Sequence, residues 1–169
     1  MILRRFYLAL FTLFLLGIPL AQGQSPILEV TTYSDIVTDS DNTVNASDVV
    51  VFTIKAKNIS NLALSSLTIS HTLKGINGSS ITLNSSPTFF SNSNASAAGS
   101  LAAGETGTYI ATYTFNASGV SAGGISLTVT GTASTPGNSN NVIDPSDDGD
   151  DSDGNTANDP TQVIAGSTV

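Results

Sequence analysis

Seven aspartates fall within sixteen residues near the C-terminal end of this 169-residue chain: Asp144, Asp147, Asp148, Asp150, Asp151, Asp153 and Asp159, with Asn155 and Asn158 among them. Carboxylates packed so closely repel one another, so the segment must stay extended and solvated or be neutralised by a cation. Hard oxygen donors interspersed with Asn, Gly and backbone carbonyls suit Ca²⁺ far better than Zn²⁺. The candidate metal ligands are therefore Asp147, Asp148, Asp150, Asp151, Asp153, Asn155 and Asp159, and calcium is the candidate ion. A solvated acidic linker is the competing expectation. The register is not that of an EF-hand, because Asp151-x-Asp153 is followed at once by Gly154 and no Glu closes a loop.

Other groups with chemical potential lack the partners that chemistry needs. The only histidine, His71, has no second His or Cys with which to form a metal site, and no G-x-S-x-G nucleophile elbow occurs, so neither a triad nor a thiol mechanism is expected and no catalytic residue is assigned. The glycines at 99, 104, 107, 119, 123 and 124 fit neither phosphate-binding pattern and mark turns. Six Asn-x-Ser sequons, at Asn45, Asn58, Asn77, Asn84, Asn94 and Asn116, matter only in a host that glycosylates them. Neighbours on a strand face opposite sides, so Phe89 and Phe90 cannot both point inward from one. Either one ring is exposed and forms a contact site, or the segment is a loop that folds both rings over the core, the commoner fate of large aromatics.

The elements that must position these groups are strands. In the segment from Val49 to Lys57, Val50, Phe52, Ile54 and Ala56 share one face while Thr53, Lys55 and Lys57 share the other, the period of two of a half-buried strand. Leu67, Ile69 and Leu73 alternate with Thr68, Ser70 and Thr72, which puts His71 on the apolar face. Tyr109, Ala111, Tyr113 and Phe115 form a third inward set, and Ile125, Leu127 and Val129 a fourth. Weaker strands are expected at Ile27 to Thr32, Ser80 to Leu83, Thr88 to Phe90 and Gln162 to Ile164, with Ser91 to Ser100 as a surface loop. No sustained helical periodicity follows residue 23. About seven short antiparallel strands predict an all-β sandwich.

At the other end of the chain, Arg4 and Arg5 precede an apolar run from Phe6 to Leu20, and Ala21-Gln22-Gly23 is a small-x-small cleavage pattern. Residues 1–23 are the expected signal peptide, 24–143 the sandwich, and 144–169 an acidic segment with a possible terminal strand. Without the leader, three lysines (Lys55, Lys57 and Lys74) face thirteen acids, a net charge of −10. Such a surface repels nucleic acid and anionic membranes, so neither is an expected partner. The chain has no cysteine, so the exported fold would be held without disulfides.

Three stretches carry a family resemblance: VVFTIKAKNISNLALSSLTISHTL, GSLAAGETGTYIATYTFN, and GGISLTVTGTAS followed by DPSDDGDDSDGNTANDPT. They resemble the DUF11-type repeat modules of bacterial surface and cell-wall-associated proteins, an immunoglobulin-like family akin to the CARDB-like adhesion domains. Two positions depart from that pattern: His71 stands where an acidic residue is common, and the Asn usual in the final strand is absent near Ser126. Such modules usually come in tandem, whereas no internal repeat occurs here, which fits either a single-module protein or a piece of a longer one. The resemblance implies an immunoglobulin-like antiparallel β-sandwich and a secreted or cell-surface role as a spacer, surface-layer or adhesion domain. The partners so implied are cell-surface or extracellular matrix components, or copies of the chain itself. The alternative is a secreted carbohydrate-binding accessory domain, for which Phe89, Phe90 and Tyr33 are the available aromatic platforms.

Overall fold

A computed structural model describes residues 28–39, 41–150, 152 and 157–169. The expected signal peptide lies outside the described residues, as do Asp151, Asp153 and Asn155. The described residues form eight strands: β1 (Leu28–Val37), β2 (Val49–Asn58), β3 (Ser65–Gly75), β4 (Ser85–Asn92), β5 (Thr106–Thr114), β6 (Gly124–Ser134), β7 (Val142–Pro145) and β8 (Thr161–Ile164). One sheet has the order β1-β2-β5-β4; in the other, β3 lies on one side of β6 while β7 and β8 share the opposite side. Every strand pair is antiparallel. This is the connectivity of a constant-type immunoglobulin sandwich, four strands over three, with its seventh strand broken into β7 and β8.

The core follows from the alternation in the sequence. Val50, Phe52, Ile54 and Ala56 of β2 are fully buried, and Ala111 and Tyr113 of β5 pack with them opposite Ile125, Leu127 and Val129 of β6. Tyr113 meets Phe115 edge to face with ring centroids 5.3 Å apart, a favoured geometry. Gly131 lets β1 approach β6: a Cβ there would lie 2.7 Å from Val30 Cγ2. In β3 the apolar face is only partly covered. Leu67 and Leu73 are buried, while Ile69 and His71 are half-buried.

Several local expectations need correction. Ser80 to Leu83 is not a strand. After the turn at Gly75–Gly78 it makes one bridge, Lys74 to Ser80, and the Ile81 N–H bonds to Leu73 O before Leu83 enters the core. Phe89 and Phe90 lie in a strand, and neither caps the sandwich: Phe89 is 39% exposed with its ring edge-on to Tyr109, and Phe90 is 71% exposed. The segment after residue 23 also contains a short helix, α1 (Ala117–Ser121), closed by Asn116, whose Oδ1 accepts from Ser118 N and Gly119 N. Five residues cannot display a helical period, so only the cap could have revealed it.

In place of disulfides, buried polar side chains brace the loops. Asn58 Nδ2 donates to the carbonyls of Leu62, Leu101 and Ala102, and its Oδ1 accepts from Ser60. Glu105 is fully buried; its Oε1 accepts from Asn94 N and Ser96 N, and its Oε2 from Ala102 N. The Ser96 hydroxyl and these backbone donors hold the Glu105 carboxyl down to about 2, against an ordinary 4.5, with desolvation opposing them. At the opposite end, Asp48 is buried and accepts from Asp39 N and Asn45 N.

Two outcomes follow. Phe52→Ala will cost about 3–5 kcal/mol, and Thr112→Ala, on the half-exposed face of β5, much less. Equal losses in denaturant melts would contradict the register. Glu105, with its folded value lowered, stabilises the fold above its unfolded 4.5, and this contribution is lost as pH falls through about 2. Glu105→Gln, which turns an amide N–H toward donors, will melt lower at pH 7 and lose less of its melting temperature than the native chain between those two pH values. Parallel curves would contradict the assignment.

Candidate metal centre

The acidic residues sit in an insertion that interrupts the seventh strand. β7 runs along β6 and ends at Pro145, a residue with no N–H to give a ladder. Ser146 then takes a strand-like place beside Val129: its N–H donates to Val129 O at 2.7 Å, and its hydroxyl accepts from Val129 N at 3.1 Å. One residue later the chain has crossed to the other sheet. Asp147 N donates to Val30 O at 3.0 Å, and Thr32 N donates to Asp147 O at 2.8 Å, so Asp147 forms a parallel bridge to β1 at Thr31. Asp144 spans the same gap by side chain, with Oδ2 accepting from Val30 N at 2.7 Å. On the return, Thr161 opens β8 and its buried hydroxyl donates to Thr32 O at 2.9 Å.

Between these anchors the loop is shaped by aspartate turns. Gly149 N donates to Asp147 Oδ1 at 2.6 Å, Asp150 N to Asp148 Oδ1 at 2.8 Å, and Ser152 N to Asp150 Oδ1 at 2.9 Å. Each is the two-residue side-chain-to-backbone contact that Asp favours. Gly149 has φ +78°, and a Cβ there would lie 2.6 Å from the Tyr33 ring. Lys55 Nζ stands 5.0 Å from the centroid of that same ring.

Asp147, Asp148 and Asp159 each bring one carboxylate oxygen to within 4.8 Å of the others, all three residues being partly buried. Asp159 also accepts from Asp148 N at 3.2 Å. Like charges at this separation cost on the order of 1 to 3 kcal/mol per pair, between the bulk-water and near-surface limits. Asp150 is turned instead to Ser152, whose hydroxyl and N–H lower its carboxyl below the ordinary value. Of the seven expected ligands, then, three converge, one faces its own turn, and three lie outside the described residues.

An open groove of about 450 Å³ runs beside the cluster, lined by Glu29, Tyr33, Ile59, Asp144, Asp147 and Asn158 among others. Burial raises the Asp144 carboxyl, with Glu29 and Asp147 adding to the rise and the Val30 N–H opposing it. Glu29 and Asp144 were not expected ligands; period-two alternation along β1 marks Glu29 as outward-facing but cannot say that β7 ends beside it.

Three hard carboxylates fit Ca²⁺, which takes six to eight oxygens and would complete its shell from backbone carbonyls and water. Asp159→Asn keeps the acceptor for Asp148 N while removing a charge. If these carboxylates hold Ca²⁺, free calcium at a hundredfold excess over Kd will raise the native melting temperature by the equivalent of about 2.7 kcal/mol. Asp159→Asn will melt slightly higher than the native chain in chelator and respond less to calcium. Equal melting of the native chain in calcium and in chelator would leave the loop a solvated acidic insertion.

Compared with known proteins, the chain matches no family model and no curated protein.

Proposed function

We propose that this chain is an exported structural or adhesive cell-surface module of the DUF11-type, CARDB-like kind, stabilised by calcium in the insertion of its seventh strand. The observation that carries the reading is how the sandwich is braced. Without cysteine, its loops are held from within by Asn58, Glu105 and Asp48, and the outer faces of β3, β5 and β6 are largely Ser and Thr. Such a domain tolerates an oxidising exterior without depending on redox state, and its sparsely charged, hydroxyl-rich surface suits a spacer or adhesive unit. The segment Arg4 to Gly23 supplies the expected export signal. Its partners are then surface or matrix components, or further copies of the chain.

The carbohydrate-binding alternative rests on exposed rings. Tyr33 already has Lys55 against it and Gly149 alongside, and Phe89 lies edge-on to Tyr109, which leaves Phe90 as the ring offered most openly. One ring is a small platform.

Expression of the whole gene in a bacterial host tests the proposal. The protein will carry a new N-terminus at Gln24 and will be degraded by protease added to intact cells. Retention in the cytoplasm with Arg4 and Arg5 still attached would overturn it. Glycan binding lost on Phe90→Ala would favour the alternative.

A further inference from the structure

The sandwich protects its edges unequally. β4 carries Pro87 and two register irregularities. β1 is bridged by Asp147, and β7 and β8 are four residues each, with Asp144 and Pro145 in β7. Proline, bulges, charge, short length and cover are the usual devices that stop an edge from recruiting another strand. β3 is different. It is eleven residues long, its one register irregularity lies before Thr68 and its one lysine, Lys74, after Leu73, and the stretch from Thr68 to Leu73 has no Asp, Glu, Lys, Arg, Pro or Gly.

The direction in which its peptide groups point is fixed by their neighbours. Val129, the partner of His71, turns its own N–H and C=O away from β3, toward Ser146. Leu73 O accepts from Ile81 N, and Gly75 donates to Ser79 O, both on the side away from β6. The alternating pattern of an antiparallel ladder then makes the peptide groups of Ile69 and His71 project from the open edge. Among the described residues, no hydrogen bond reaches them from that side. The free lane is closed at both ends. Gly99 O takes Leu67 N at 2.9 Å, and the 79–81 segment runs beside residues 73–75. What is left is a slot opposite Thr68 to Thr72, five residues or roughly 17 Å at about 3.4 Å per residue.

The stops also decide which occupant fits. A second copy of β3, entering antiparallel about Ser70, would bring its own residues 79–81 into the space held by Leu67 and Gly99, so two β3 edges cannot pair with each other about this point. A short extended segment of a different polypeptide can. Its second and fourth residues would lie opposite His71 and Ile69 and turn inward beside half-buried Ile69, while its other residues would face outward among Thr68, Ser70 and Thr72. We propose that the β3 edge is a docking slot for a five-residue extended peptide segment of another protein, apolar at its second and fourth positions, bound antiparallel as an added strand. The slot does not depend on where the protein is displayed or on whether calcium binds.

The probe is the acetylated, amidated pentapeptide Thr-Val-Thr-Val-Thr, titrated into ¹⁵N-labelled protein. At millimolar peptide, the amide resonances of Ile69 and His71 will shift most and their hydrogen exchange will slow. N-methylation of the two Val nitrogens, which would donate to the His71 and Ile69 carbonyls, will weaken binding at least tenfold. N-methylation of the central Thr, whose N–H points away, will leave it within about twofold. His71→Lys, which sets a charge on the edge without touching the fully buried core, will weaken the peptide as well. Absence of a localised shift, shifts spread over other strands, or full binding by the Val-methylated peptide would each overturn the slot.

Discussion

The crossing from Ser146 to Asp147 governs the acidic half of this molecule. In two consecutive residues the chain leaves the ladder of β6 and joins that of β1, with Val129 bonded to Ser146 and both Val30 and Thr32 bonded to Asp147. An immunoglobulin-like sandwich has no covalent tie between its sheets when cysteine is absent, and burial alone must keep them face to face. Here the backbone itself laces the two sheets together along one side, and the hydroxyl of Thr161 repeats the tie on the way back. The seventh strand is broken because the chain makes this detour.

The detour sets an electrostatic condition. Fixing both ends of the insertion prevents its carboxylates from drifting apart, so Asp147, Asp148 and Asp159 remain close together and Asp144 is held against β1. An acidic tail free at one end would have relaxed by extending into solvent. A pinned loop relieves the repulsion by gathering a salt atmosphere or a cation. The raised carboxyl of half-buried Asp144 and the lowered carboxyl of buried Glu105 show two opposite ways in which the fold treats an acid withdrawn from water. At Asp144 desolvation and acidic neighbours outweigh one backbone donor, whereas Glu105 has a hydroxyl and three backbone donors to outweigh desolvation.

The sandwich was legible in the sequence because its central strands obey period two without interruption, from Val50 to Ala56 and from Ile125 to Val129. β7 was not, since Val142-Ile143-Asp144-Pro145 is too short to show alternation and ends in residues that strands disfavour. The clustering of aspartates revealed the candidate site, but its geometry depends on β1, more than a hundred residues away, and no local pattern links Asp147 to Val30. No local pattern marks Asn58 or Glu105 as buried; their burial arises only when the β2–β3 and β4–β5 loops meet. Phe90 shows the reverse case, a residue type expected inside that the edge-strand geometry of β4 leaves outside.

Native-state hydrogen exchange at the amides of Val30, Thr32 and Asp147 tests the lacing most directly. If the crossing governs the acidic half of the fold, all three will exchange as slowly as the β1 amides paired to β2, and will do so together. Exchange of the Thr32 and Asp147 amides at the rate of an unstructured loop, with the β1–β2 amides still protected, would contradict it.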